Sequence, residues 1–130
     1  MSKPFVYTLD KNASKVHKAI VQYFKKELPS FNISQNHKIE IDNKNLYCDI
    51  FCNSPFHFVI EIMGEQHYKF IKHFHGTEKN FRTAQLNDRL KREWCEMNDY
   101  CYIEIPVKGF AMEKFHDMLM EKLHEFSEEG

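Results

Sequence analysis

The chain has 130 residues, 42% of them hydrophobic and 15% aromatic, enough to bury one core unaided and too apolar for a disordered tail. Its 18 basic and 19 acidic residues leave a formal net charge of -1, so any nucleic-acid-binding face must come from uneven distribution rather than overall charge. No apolar stretch approaches a bilayer span, and Met1-Ser2-Lys3-Pro4 has no apolar h-region behind it, so one domain over residues 1–130 with no membrane partner is expected. Its expected location is intracellular: the cytoplasm, or the nucleus of a eukaryotic or viral host. Cys48, Cys52, Cys95 and Cys101 form no C-x-x-C pair and sit beside apolar neighbours, which predicts buried free thiols.

Asn12 or Ser14 can cap a first helix over residues 13–28, whose Val16, Ile20, Tyr23, Phe24 and Leu28 share a face before Pro29 stops it. Residues 33–41 read as a strand, and Asp42-Asn43-Lys44-Asn45 supplies turn chemistry before a second, Leu46-Tyr47-Cys48-Asp49-Ile50-Phe51. Asn53-Ser54-Pro55 separates it from a third, Phe58-Val59-Ile60-Glu61-Ile62-Met63. Residues 69–80 carry no clear period and are expected to be a loop. A second helix over residues 82–97 sets Leu86, Leu90, Trp94 and Met97 on its apolar face, with Asp88, Lys91 and Cys95 on a neighbouring stripe, and Asn98-Asp99 ends it. Residues 100–105 form a last strand, and Met112, Phe115, Leu119, Leu123 and Phe126 mark a final amphipathic helix. The helix joining the third and fourth strands is a crossover, which favours parallel pairing there. The expected fold is α/β, a central mixed β-sheet flanked by helices in the order α-β-β-β-α-β-α.

Two acids stand out within the apolar strands. Asp49 lies between Cys48 and Ile50 and by itself reads as a solvent-face residue. Glu61, inside a run apolar on both sides, is costly to bury unless paired, hydrogen-bonded or metal-bound. Paired strands would bring both acids within reach of one divalent ion, and hard cations such as Mg²⁺ take oxygen ligands of this kind, with Mn²⁺ able to substitute. Because two buried acids repel, removing either is expected to leave the fold intact. A glycine turn at Gly64 then delivers Gln66 and His67, the latter suited to taking a proton near neutral pH. Residues 69–92 hold seven basic side chains, Lys69, Lys72, Lys79, Arg82, Arg89, Lys91 and Arg92, against Glu78 and Asp88, whereas the acids gather in the last helix. A basic face beside the acids would suit phosphate; an ordinary solvated surface is the plainer explanation. His73, His75 and Cys95, or Cys48 and Cys52, match no zinc spacing, and neither a phosphate-binding G-x-x-x-x-G-K loop nor a nucleophile elbow is present. No small-molecule cofactor is expected.

Asp49, the run Glu61, Gly64, Gln66, His67, Tyr68, then Asp88 and Lys91, then Ile103-Glu104-Ile105-Pro106 together resemble the PD-(D/E)xK nuclease superfamily, in the branch of very-short-patch repair endonucleases and related phage homing endonucleases. The resemblance spans roughly residues 13–106. It implies a restriction-endonuclease-like core and a Mg²⁺-dependent DNA endonuclease, with Asp49 and Glu61 as metal ligands. It also implies that Asp88 holds or activates His67 and that Lys91 contacts the scissile phosphate, while the local excess of positive charge makes Lys69, Lys72, Lys79, Arg82, Arg89 and Arg92 the expected DNA-binding residues. Three positions depart from the pattern. Met63 stands at the superfamily lysine, Asn87 replaces an arginine, and His17 lies where many relatives carry a first-helix Glu. A catalytically impaired nuclease fold acting as a DNA-binding or protein-interaction module is the alternative, and cutting both DNA strands would require a homodimer, sequential nicks or a partner.

Overall fold

The structure is a computed structural model that describes residues 11–129, with the side chains of residues 11, 12, 66, 73 and 74 outside the description. The expected Asn12 cap and the residue 1–4 segment therefore lie outside the described residues. Helix α1 (Lys11–Glu27) is followed by strands β1 (Ile33–Ile41), β2 (Lys44–Cys52) and β3 (Phe58–Met63). Next come a 3₁₀ turn (Glu65–His67), a short helix α2 (Lys72–His75), helix α3 (Glu78–Met97), strand β4 (Cys101–Pro106), a second 3₁₀ turn (Met112–Lys114) and helix α4 (Phe115–Glu129). The fold is α/β, and its sheet is mixed with strand order β1-β2-β3-β4. Both β1–β2 and β2–β3 are antiparallel, and β3–β4 is parallel. Among the described residues no helix is long and apolar enough to cross a membrane.

Local chemistry accounts for this topology. Asp42 and Asn43 have φ of 49° and 62°, the left-handed pair that a two-residue hairpin turn demands and that Asp and Asn tolerate best. The turn is tighter than the expected four residues because Lys44 and Asn45 already belong to β2 and pair with Ile41 and Glu40. Between β3 and β4 the chain must cross over, and α3 carries it. Every residue of β3 is buried, and its alternation splits the core. Phe58, Ile60 and Ile62 join Ile103, Ile105, α1 and α4, whereas Val59 joins Leu90 and Cys95 of α3. Glu61, two residues beyond Val59, shares the α3 face.

Residues 69–80 are not the expected loop, since α2 forms within them and α3 begins at Glu78. His75 is only 1% exposed and packs against the rings of Phe70 and Phe81, with centroids at 5.9 and 5.0 Å. Gly76 at φ 76° ends α2, and the hydroxyl oxygen of Thr77 accepts from Asn80 N–H at 3.1 Å, capping α3. Thr77→Ala should therefore lower the unfolding free energy by about 1 kcal/mol, read from urea denaturation. The buried face of α3 also differs from its apolar stripe. Met97 is 75% exposed, while Asp88, Leu90 and Cys95 are buried, because the stripe that holds Asp88 and Lys91 is the one that lies over the sheet.

Candidate active site

Pairing of β2 with β3 runs through Cys52↔Phe58, Phe51↔Val59 and Ile50↔Ile60 and does not continue to Asp49 and Glu61. There the strands part, and the two acids close the gap. Asp49 N–H donates to Glu61 Oε2 at 2.8 Å, and Ile62 N–H donates to Asp49 Oδ2 at 2.9 Å. Each carboxylate thus satisfies a main-chain donor that the ladder has abandoned, in a region where an unpaired buried N–H is expensive. The edge of the sheet is also distorted here. Across β2 from the fork, Asn36 of β1 sits at φ 50°, between the Gln35↔Ile50 and His37↔Cys48 pairs. On β2 itself, Cys48 packs with the α3-side cluster and Ile50 with the opposite one, so the strand twists through Asp49.

Glu61 is 2% exposed, and Lys91 of α3 donates to its Oε1 at 2.5 Å. Burial pushes the Glu61 carboxyl up to about 7, opposed by the Lys91 ammonium and reinforced by the Asp49 charge. Burial alone would lower the Lys91 pKa, but Glu61, through charge and hydrogen bond, with Asp49 and Asp88 behind it, holds it above its ordinary value. We read the contact as an ion pair at neutral pH: Lys91 keeps its proton, and an ammonium buried without a counter-charge would cost more than the pair does. On the same helix Asp88, also buried, accepts from His67 Nδ1 at 3.0 Å. Burial draws the His67 pKa down, yet the Asp88 hydrogen bond and charge, together with Glu61 and Asp49, outweigh it and leave the imidazole above its usual range. With Nδ1–H directed at Asp88, the Nε2 lone pair is the basic position.

His67 and Asp88 open onto a cleft of about 520 Å³ whose lining includes Arg82, Arg89, Arg92 and Glu104. Asp49, Glu61, His67, Asp88 and Lys91 are therefore assembled in one neighbourhood, whereas the side chain of Gln66 lies outside the described residues. His17 is not part of it; its Nε2 meets Gln35 of β1 at 2.8 Å. Of the basic residues, Arg82, Arg89 and Arg92 line the cleft, and Lys72 and Lys79 are exposed on α2 and the first turn of α3. Their charge is partly matched by acids, three of them outside the basic segment. Lys69 pairs with Glu65, Arg82 with Glu78 at 3.4 Å, Arg89 with Glu93 at 3.9 Å and Arg92 with Glu104 at 3.5 Å. Exposed pairs of this kind are worth little and exchange readily for phosphate.

Two residues here were assigned no role from the sequence. Glu104 faces Glu61 directly in the parallel β3–β4 ladder. Tyr102 carries Arg92 over its ring at 5.8 Å and has a buried hydroxyl without a hydrogen-bond partner among the described residues. The alternation of Tyr102 and Glu104 against Ile103 and Ile105 was the available signal, because strand alternation turns both toward the face that holds Glu61.

Among the described residues no three His, Cys, Asp or Glu side chains converge as a metal cluster. All four cysteines are buried free thiols, and burial pushes Cys48 up to about 12, far from a thiolate ligand or nucleophile. Asp49 and Glu61 nonetheless fit a hard divalent ion. A carboxylate retains lone pairs after one hydrogen bond per oxygen, and Mg²⁺ is commonly held by one or two carboxylates with water completing its shell.

Fold and site together define an α/β domain in which a carboxylate pair and a lysine lie buried beside a histidine–aspartate pair, and the latter opens onto a cleft. No family model matches the chain, and no solved structure matches it. Two viral proteins are similar to part of it. Over 65 residues it is 45% identical to Uncharacterized protein 307L of Invertebrate iridescent virus 6, a match covering 49% of this chain and 33% of that protein. Over 66 residues it is 36% identical to Uncharacterized protein 033L of Invertebrate iridescent virus 3, covering 51% and 34% respectively. The match thus spans about half of this chain and a third of the length of each relative.

Proposed function

We propose that this domain is a metal-dependent DNA endonuclease with a restriction-endonuclease-like core of the PD-(D/E)xK type. The observation that carries the reading is the fork of β2 and β3, where Asp49 and Glu61 stand together with Lys91 on Glu61 and the His67–Asp88 pair nearby. The element order and the parallel β3–β4 crossover support it. Asp49 and Glu61, with the Ile62 carbonyl, would hold Mg²⁺ or Mn²⁺, which when bound polarises a phosphate and acidifies a water. His67 accepts the proton of the attacking water at Nε2 while Asp88 fixes the ring and stabilises the imidazolium. Lys91, with one of its three donors on Glu61, has donors left for a phosphate oxygen and so supplies the cation that Met63 does not. Arg82, Arg89 and Arg92 extend the cationic track along α3. A domain of this size has one such site, so double-strand cleavage requires a homodimer, successive nicks or a partner.

Incubation of the purified chain with supercoiled plasmid should give nicked product in Mg²⁺ or Mn²⁺ and none in chelator. Charge removal along the track should weaken DNA binding without altering sequence preference: Lys72→Gln, Arg89→Gln and Arg92→Gln should each make the logarithmic salt slope shallower by roughly one phosphate contact. Binding indifferent to salt would remove the track from the account.

A second reading is favoured by one specific feature. Both Glu61 oxygens already accept from the protein, from Lys91 and from Asp49 N–H, and the position expected to hold lysine is the buried Met63. A fold that has closed its own ligand set would serve as a DNA-binding or protein-interaction module. DNA retarded in chelator but uncut in Mg²⁺ or Mn²⁺ would select this reading, and absence of DNA binding would defeat the nuclease proposal and leave a protein partner.

A further inference from the structure

Beside the cleft at His67 lies a second, of about 790 Å³, and Met63 and Tyr68 line both. Val16 of α1 and Val107 and Phe110 beyond β4 form its apolar wall, with Lys15 and Lys108 exposed on it. Among the described residues its lining has one acid, Glu65, whose carboxylate is engaged by Lys69. The volume falls within the ~300–1,000 Å³ of small-ligand sites.

Building on the endonuclease reading, we propose that this groove receives an unpaired nucleotide adjoining the scissile phosphate, which makes the substrate class DNA with a single-stranded flap or branch rather than continuous duplex. Aromatic and apolar walls flanked by cations are the composition that single-stranded nucleic acid selects, because every base offers a π-face while its phosphates need positive charge. In continuous duplex those faces are stacked on neighbouring pairs and cannot enter a groove. An apolar peptide would fill the wall but would leave Lys15 and Lys108 without partners. Met63 and Tyr68 line both the groove and the cleft that holds His67, so the two lie side by side, and a strand laid across both would place the phosphate next to an unpaired base near His67.

The test is fluorescence anisotropy of the full chain in chelator with labelled continuous duplex and with the same duplex bearing a 3′ or a 5′ flap. At least one flapped form should bind roughly tenfold tighter than duplex, the scale of one lost stacking contact. The Lys15→Ala, Lys108→Ala double variant, altered only at exposed positions, should bring flapped DNA to the duplex affinity and leave duplex binding unchanged. Phe110→Leu, which keeps the apolar volume, should reduce the preference severalfold. Equal affinity for all forms, or a preference untouched by the lysine variant, would overturn the inference while leaving duplex binding and cleavage, and with them the endonuclease reading, standing. Failure to bind DNA of any form would overturn both.

Discussion

Glu61→Ala is expected to abolish cleavage and also to lower the unfolding free energy by about 3–5 kcal/mol, the cost of stranding one partner of a buried ion pair. Two groups lose their acceptor at once: the Lys91 ammonium and the Asp49 N–H, at 2.5 and 2.8 Å from the carboxylate oxygens. This corrects the sequence-based expectation that either acid could be removed without harm to the fold, which considered only their mutual repulsion. Asp49→Ala should also destabilise, but by less, about 1–3 kcal/mol, since it strands the Ile62 N–H and no charge. Urea denaturation of the three proteins measures the order. Adding Lys91→Met to Glu61→Ala should recover most of the stability and none of the activity, because an apolar pair is about as stable as a buried ionic one. If Glu61→Ala proves as stable as the parent, the ion pair is not formed in solution and the proposed role of Lys91 fails with it.

The sequence disclosed the site more fully than it disclosed the path of the chain around it. Glu61 was conspicuous because an acid in an apolar run needs a partner, and strand alternation put it on the face that α3 covers. The association of His67 with Asp88 came from resemblance and is met by a 3.0 Å hydrogen bond. Pairing alone would have predicted a continuous ladder, since nothing in a one-dimensional pattern says that β2 and β3 part at Asp49. Residues 69–80 misled for a different reason. Their order depends on tertiary burial of His75 between Phe70 and Phe81 and on a Thr77 cap, neither of which produces a helical period. Met97 misled through periodicity itself, because α3 turns its mixed stripe of Asp88, Lys91 and Cys95 to the sheet and leaves that apolar residue in solvent. A helix whose buried face carries an acid and a lysine is poorly described by hydrophobicity, and those two residues are two of the five side chains of the proposed machinery.

His67→Ala should reduce turnover by about 10²–10⁴-fold, the usual contribution of a general base, with a much smaller loss in DNA affinity. The pH dependence has a sign that separates catalysis from stability. Because Asp88, Glu61 and Asp49 raise the His67 pKa against the opposing effect of burial, the neutral, proton-accepting form is reached only above the usual histidine range, and the rate should climb through that raised value as pH increases. Stability runs the other way. The contribution of the imidazolium–Asp88 pair is fully present below the unfolded histidine pKa of about 6.5 and is lost as pH rises through the folded one. Asp88→Asn keeps an acceptor for Nδ1–H but removes the charge, so the acid limb of the rate profile should move to lower pH while the plateau falls. NMR titration of the His67 ring in metal-free protein should show the same downward shift without reference to activity. An acid limb and a titration midpoint both unchanged by Asp88→Asn would mean that Asp88 does not set the protonation of His67, and the base would then have to be sought elsewhere in the cleft.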